Sequence, residues 1–188
     1  MPSIDLNFLS LLKDNYVNYN IFIETGTNKG ETIFNLEKYF NKLYTIELKE
    51  NLYNLCKNKY NGNKINFICG DSIIELKNLL PTINENTIFF LDAHYMTGNS
   101  AIGIKECPLI EEIEYINTYM IKKSIVIIDD YRLFGKKSKK NKFNEQIDWT
   151  DIEKKKIINI LNQRITDIYH LPSEFHKEDR LIIHLKEL

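Results

Sequence analysis

The chain has 188 residues, of which 43% are hydrophobic and 27% charged, and its formal net charge at pH 7 is −1. This composition is ordinary for one globular domain, and the small net charge does not favour nucleic acid as a partner. No apolar run reaches the roughly 20 residues of a membrane span, and no signal-peptide pattern opens the chain. Three cysteines without a Cys-x-x-Cys pair indicate neither zinc nor disulfides, so we expect one cytoplasmic domain over 1–188.

In chain order, residues 1–18 carry an apolar stripe that predicts a leading helix capped by Ser3. Helices are then predicted over 31–40, 49–60, 72–80, 108–120 and 148–162, and strands over 20–24, 42–47, 65–69, 87–91, 124–128, 165–170 and 181–185. This alternation predicts an α/β, doubly wound and mostly parallel Rossmann-like sheet. Nothing helical separates the last two strands, so we expect a C-terminal antiparallel hairpin. A lysine run predicts that 135–148 is an exposed loop.

The stretch 21–32, IFIETGTNKGET, joins a strand, a glycine-bearing turn and a helix start. Gly26 allows a tight turn and close approach of a ligand, because no Cβ stands in the way. The spacing differs from the Gly-x-Gly-x-x-Gly of dinucleotide sites. We expect this stretch to bind a cofactor, and its candidate residues are Glu24, Thr25, Gly26, Thr27 and Gly30.

Every later parallel strand also ends in polar residues, and the carboxyl ends of such strands form the usual ligand site. Glu47 is placed to accept hydrogen bonds from a ribose, and Asp71 with Ser72 to contact an adenine. After the next two strands come Asp92, His94, Asp129 and Asp130. Three carboxylates without cysteine favour Mg²⁺, which would be held by Asp92, Asp129 and Asp130. His94 is a candidate general base or a structural histidine.

The segments ETGTNKG (24–30), Glu47, GD (70–71), LDAHY (91–95) and IDDY (128–131) resemble the motifs of class I S-adenosylmethionine-dependent methyltransferases. The acids after the fourth and fifth strands are similar to those of metal-dependent O-methyltransferases of the catechol and macrolide-sugar types. The resemblance implies S-adenosylmethionine bound by Glu24, Gly26, Gly30, Glu47, Asp71 and Asp92, and Mg²⁺-assisted O-methylation. The catechol type has Asp-Asn where Asp129 and Asp130 stand here.

The favoured hypothesis is therefore methyl transfer to a hydroxyl of a small acceptor, sugar-like before catechol-like. Asp92 and His94 are its candidate catalytic residues, and Tyr95, Tyr131 and Arg132 are placed to reach the acceptor. Three alternatives remain open: a nicotinamide-dependent oxidoreductase, a metal-dependent hydrolase that uses Asp92, His94, Asp129 and Asp130, and a cofactor-binding partner subunit. We also expect that the leading helix or an exposed sheet edge could support a homodimer.

Overall fold

The computed structural model describes residues 4–96 and 101–188. Its seven-stranded sheet has the order β3-β2-β1-β4-β5-β7-β6. The strands are β1 (Ile21–Thr25), β2 (Lys42–Glu47), β3 (Ile65–Cys69), β4 (Thr87–Leu91), β5 (Ser124–Ile128), β6 (Ile165–Leu171) and β7 (Arg180–Leu185). The α-helices are α1 (Leu6–Leu9), α2 (Glu31–Leu36), α3 (Glu50–Lys59), α4 (Ser72–Leu79), α5 (Leu109–Tyr119) and α6 (Lys154–Leu161).

The pairing of the strands confirms the predicted fold class. Strands β1 to β5 pair in parallel, with β1 between β2 and β4. Strand β7 runs antiparallel both to β5, where Ile128 faces Leu181, and to β6. The two C-terminal strands therefore form the predicted hairpin, and β7 inserts next to β5. The strand order reverses between β1 and β4, which is where ligands bind in open α/β sheets.

Helices cover both faces of the sheet, and this explains why its central strands are apolar without interruption. In β4, Phe89 and Leu91 join a core cluster with α4, α5 and α6. The alternate residues Ile88 and Phe90 join a second cluster with α1 and α2. Both faces of β4 are thus removed from water, and the strand ends at the edge of the sheet where the polar residues lie.

The predicted leading helix over 1–18 is replaced by shorter elements. Helix α1 is a single turn that Asp5 caps by accepting from the Phe8 amide at 2.8 Å, and Asn15 caps a 3-10 turn at Tyr16–Asn18. Ser3, the predicted cap, lies outside the described residues. Between these turns the Lys13 amide donates to the Tyr169 hydroxyl at 2.9 Å. Asp and Asn side chains compete locally for backbone groups, which breaks the helix, although Ile4, Phe8, Leu9 and Leu12 of its apolar stripe are still buried.

The region before α6 also differs from the prediction, because the helix begins at Lys154 and not near residue 148. The predicted exposed loop forms a small hairpin, in which the Ser138 amide donates to the Ile147 carbonyl at 2.8 Å and Lys137 pairs with Asp148. Trp149 follows this hairpin and is 1% exposed. Within 4–96 and 101–188, no helix has the length and apolar character to cross a membrane.

Candidate active site

A cleft of about 540 Å³ opens at the carboxyl ends of β1 to β5, at the reversal of strand order. Its volume lies within the range of small-molecule sites. The predicted site residues that line it are Gly26, Glu47, Asp71, Ser72, Asp92, His94, Tyr95, Asp129, Asp130 and Arg132. The structure therefore brings residues from five strand ends to one cavity, as the sequence predicts.

Five other predicted site residues do not line the cleft: Glu24, Thr25, Thr27, Gly30 and Tyr131. Glu24 precedes the last residue of β1 and is 2% exposed, and its carboxylate accepts from the Thr45 hydroxyl at 2.7 Å. Burial raises the pKa of Glu24 to about 8. Thr27 contacts the same Thr45 hydroxyl at 2.5 Å. Glu24 and Thr27 therefore link the glycine turn to Thr45 of β2. Direct contact between Glu24 and a cofactor stays a prediction.

The backbone conformation at residue 26 and the close approach of β4 explain why this residue is glycine. Gly26 has φ +87°, and its amide donates to the Ile46 carbonyl at 2.9 Å. A Cβ built at this residue would lie 2.5 Å from the carbonyl oxygen of Asp92. Such a contact is far too short for a real carbon atom, so only glycine lets the end of β1 lie beside the end of β4 in this way.

Glu47 ends β2 in a fixed orientation at one end of the cleft. One carboxylate oxygen accepts from the Asn28 amide at 2.7 Å and the other from the Lys49 amide at 2.9 Å. A carboxylate has about four acceptor positions, so two backbone donors hold it without exhausting its capacity. The apolar side chains of Leu48 and Leu52 line the same end. Together they make a surface with an acceptor for hydroxyls and an apolar wall.

Asp71 caps α4, the helix that begins at Ser72. One oxygen of Asp71 accepts from the Ile73 amide at 2.9 Å and the other accepts from the Ile104 amide at 2.6 Å. The Asp71 carboxylate thus links the start of α4 to the segment that returns to the cleft after residue 100. Contact between Asp71 and an adenine stays a prediction.

His94 lies between two carboxylates at the other end of the cleft. Its Nε2 is 2.9 Å from an oxygen of Asp130, and its Nδ1 is 3.5 Å from an oxygen of Asp92. The imidazole is 7% exposed and packs edge-on against Trp149, with ring centroids 4.8 Å apart. Although burial opposes it, hydrogen bonding from His94 and the charge of Arg132 lower the pKa of Asp130. Asp130 is therefore an anion that accepts from Nε2–H, and Nδ1 is the basic nitrogen.

Two arginines balance the acids at this end. Arg132 pairs with Asp130 and with Asp179, while the Nε of Arg180 is 3.2 Å from an oxygen of Asp129. Burial raises the pKa of Asp129, and the charge of Arg180 opposes this. Burial and the charges of Asp129 and Asp130 raise the pKa of Asp92. The two arginines therefore offset the charges of Asp129 and Asp130, while Asp92 has no arginine partner among the described residues and keeps a raised pKa.

The predicted Mg²⁺ site does not fit this arrangement. Among the described residues, the carboxylates whose oxygens converge to within 4.8 Å are Asp129, Asp130 and Asp179, and Asp92 is not one of them. The guanidinium groups of Arg132 and Arg180 already contact this set. A divalent ion would have to displace two charged partners that are bound to its ligands, so the predicted set of Asp92, Asp129 and Asp130 is not formed.

The sequence patterns missed Asp179, Arg180 and Phe175. Asp179 is fully buried, and Phe175 lines the cleft. All three lie in or beside the connection between β6 and β7, which carries several charges and no motif. The sequence predicted the hairpin but not its place in the sheet. In the structure β7 lies beside β5, which brings Arg180 to the strand end that carries Asp129.

Comparison with solved structures identifies the fold. A candidate O-methyltransferase from Klebsiella pneumoniae matches with a TM-score of 0.68 and 14% identity over 98% of this chain and 82% of its own. An S-adenosylmethionine-dependent candidate from Listeria monocytogenes matches with 0.59 and 12% over 95% of each chain. A candidate methyltransferase from Streptococcus mutans, in complex with SAH, matches with 0.57 and 16% over 97% and 94%.

The chain therefore has the class I fold of S-adenosylmethionine-dependent methyltransferases. Comparison by sequence found no matching family model and no matching curated protein. At identities of 12 to 16%, the structural likeness fixes the fold and leaves the reaction to be argued from the site.

Proposed function

We propose that the protein is an S-adenosylmethionine-dependent methyltransferase that methylates a hydroxyl group of a small acceptor, such as a sugar or a nucleotide-sugar. One observation carries this proposal. A single cleft joins the Gly26 turn and the fixed Glu47 carboxylate at one end to the His94–Asp130 pair at the other, within a methyltransferase fold.

The residues of the first end suit the cofactor. Gly26 lines the cleft at the end of β1, and Glu47 offers acceptor positions for two ribose hydroxyls. Leu48 and Leu52 supply an apolar wall for a base, and Asp71 and Ser72 lie nearby. When bound, S-adenosylmethionine supplies an electrophilic methyl group on a positively charged sulfur.

The residues of the second end suit proton removal. His94 would take the proton of the acceptor hydroxyl at Nδ1, and the anionic Asp130 at Nε2 would stabilise the imidazolium that results. Trp149 and the two carboxylates fix the plane of the ring, which restricts the approach of the hydroxyl to one direction. Tyr95 lines the cleft beside His94, and Arg132 lines it beside Asp130.

We infer that the reaction does not need magnesium, because Arg132 pairs with Asp130 and Arg180 with Asp129, two of the three acids that the resemblance assigns to the ion. We expect EDTA to leave methyl transfer unchanged. A loss of activity in EDTA that returns with Mg²⁺ would show that the reaction needs the ion and would contradict this expectation.

The direct test incubates the protein with methyl-labelled S-adenosylmethionine and three panels of acceptors: sugars and nucleotide-sugars, catechols, and amines. Mass spectrometry then locates the label. Label on a sugar oxygen supports the whole proposal. Label on a catechol contradicts the sugar preference, and label on an amine contradicts O-methylation, but both keep the methyltransferase assignment. No transfer to any panel member would contradict the proposed reaction.

A further inference from the structure

Phe175 is an exposed aromatic residue at the mouth of the cleft. It lies in the connection between β6 and β7, is 71% exposed, and lines the cavity together with Asp130 and Arg132. A large apolar side chain left in water at this place gains nothing for folding. Single exposed apolar residues are common, so the case for a function depends on how the residue is held.

Two hydrogen bonds link the backbone at Phe175 to the buried Asp179 side chain. The Phe175 amide donates to the Ser173 hydroxyl at 3.0 Å, and that hydroxyl donates to an oxygen of Asp179 at 2.5 Å. The Asp179 side chain is fully buried and also pairs with Arg132. Removal of one partner from a buried ion pair is costly. The backbone at Phe175 is therefore linked to the Asp179–Arg132 pair at the acceptor end of the cleft.

The ring of Phe175 is also next to the proposed catalytic groups. The Arg132 guanidinium lies 4.9 Å from its centroid, in the geometry of a cation–π contact. Arg132 pairs with Asp130, and Asp130 contacts His94 at 2.9 Å. A continuous set of contacts thus runs from the Phe175 ring to the imidazole, which places the ring at the acceptor end and away from Glu47.

We propose that Phe175 is an acceptor-binding residue, whose ring stacks against a flat apolar face of a hydroxylated ring. This chemistry is shared by a catechol-like aromatic ring and by a pyranose sugar. The inference rests on the proposed function, since it takes the acceptor to be the second substrate of the cleft. It adds the requirement that the acceptor is cyclic, and it assigns recognition to the β6–β7 connection.

The experiment measures binding by ligand-observed NMR with the protein saturated with S-adenosylhomocysteine. The probes are catechol, methyl β-D-glucopyranoside and glycerol, which has hydroxyls but no ring. The variants are Phe175→Ala, Phe175→Tyr and, as matched control, Phe143→Ala. Phe143 is 69% exposed and has a Lys142 ammonium 4.9 Å from its ring, but it does not line the cleft.

We expect one ring probe to bind the wild type more tightly than glycerol does, and Phe175→Ala to weaken that probe about tenfold. Phe175→Tyr should restore binding and Phe143→Ala should leave it unchanged, and the probe affected identifies the kind of ring. Wild-type affinity in Phe175→Ala, an equal loss in Phe143→Ala, or no preference for a ring over glycerol would overturn the inference. If S-adenosylhomocysteine itself fails to bind while a ring probe still depends on Phe175, the proposed function fails and the ring site remains.

Discussion

The two nitrogens of the His94 imidazole have different neighbours, and these decide which nitrogen carries the proton. Asp130, whose pKa is lowered, accepts from Nε2 at 2.9 Å, while the Nδ1–Asp92 distance of 3.5 Å is too long for a good hydrogen bond. The carboxylate at Nε2 fixes the tautomer and leaves Nδ1 as the nitrogen with a free lone pair. This asymmetry is the basis for assigning the base to His94 and a supporting role to Asp130.

Replacement of His94 tests this assignment. We expect His94→Gln to lower kcat for methyl transfer about 10²-fold or more, because general-base catalysis contributes at that level. The affinity for S-adenosylhomocysteine should change less than about twofold, since His94 lies at the opposite end of the cleft from Glu47. The control is His170→Gln, a histidine that contacts Lys154 and Tyr131 outside the cleft. Equal losses in both variants would contradict the assignment.

Glu112 is a buried acid that the proposed reaction does not use. It lies on α5, is 1% exposed, and burial raises its pKa from 4.5 to about 7, with the Ser72 hydroxyl partly offsetting the effect. Between these two values the folded state holds a proton that the unfolded state has released. The stability contributed by this group therefore falls as the pH rises from about 4.5 to about 7 and stays low above that.

Glu112→Gln should remove this dependence. We expect the variant to be more stable than the wild type at pH 8 by up to about 3 kcal/mol, and by less than about 1 kcal/mol at pH 5. Urea unfolding at the two pH values measures both differences. Glu114→Gln, an exposed position on the same helix, is the control and should show no such trend. A wild-type advantage at pH 8 would contradict the account of Glu112 as a protonated acid.

At the scale of elements, the turn between β1 and α2 determines how closely two strand ends approach. Gly26→Ala adds a Cβ that meets the Asp92 carbonyl at 2.5 Å in a backbone with φ +87°. We expect lower stability and at least tenfold weaker binding of S-adenosylhomocysteine, because the turn must move into the cleft or the strand ends must separate. Calorimetry and thermal unfolding measure the two effects.

The control separates the clash from the backbone strain. Gly135 also has a positive φ, +68°, but a Cβ there would meet nothing within 4 Å. Gly135→Ala should cost only the strain of a left-handed residue, about 1–2 kcal/mol, and leave cofactor binding intact. Equal loss of binding in the two variants would contradict the role of the close approach at Gly26.

The elements also show what the sequence can and cannot predict. The strand ends and the C-terminal hairpin follow from apolar runs that stop at polar residues, and the cleft at the carboxyl edge follows from parallel pairing. The leading helix was wrong because Asp5 and Asn15 form local caps that an apolar stripe does not reveal. Such side-chain-to-backbone bonds depend on conformation and not on periodicity.

On the scale of the whole molecule, acids at the carboxyl edge of the sheet pair with arginines that lie far away in the sequence. Arg180 contacts Asp129 from 51 positions away, and Arg132 contacts Asp179 from 47 positions away. No local pattern encodes such pairs, because they arise only when β7 inserts beside β5. The sequence therefore indicated which acids lie at the carboxyl ends of the strands, but it did not indicate that arginines pair with two of them.

The central claim is that the cleft binds the methyl donor through Glu47, and calorimetry with S-adenosylhomocysteine tests it most directly. We expect one molecule to bind per chain, Glu47→Gln to weaken binding about 10–100-fold through loss of charge-assisted hydrogen bonds, and NADH to give no heat of binding. Glu50→Gln, an exposed acid in the first turn of α3, is the control and should bind as the wild type does. No binding of S-adenosylhomocysteine, or wild-type affinity in Glu47→Gln, would contradict the account.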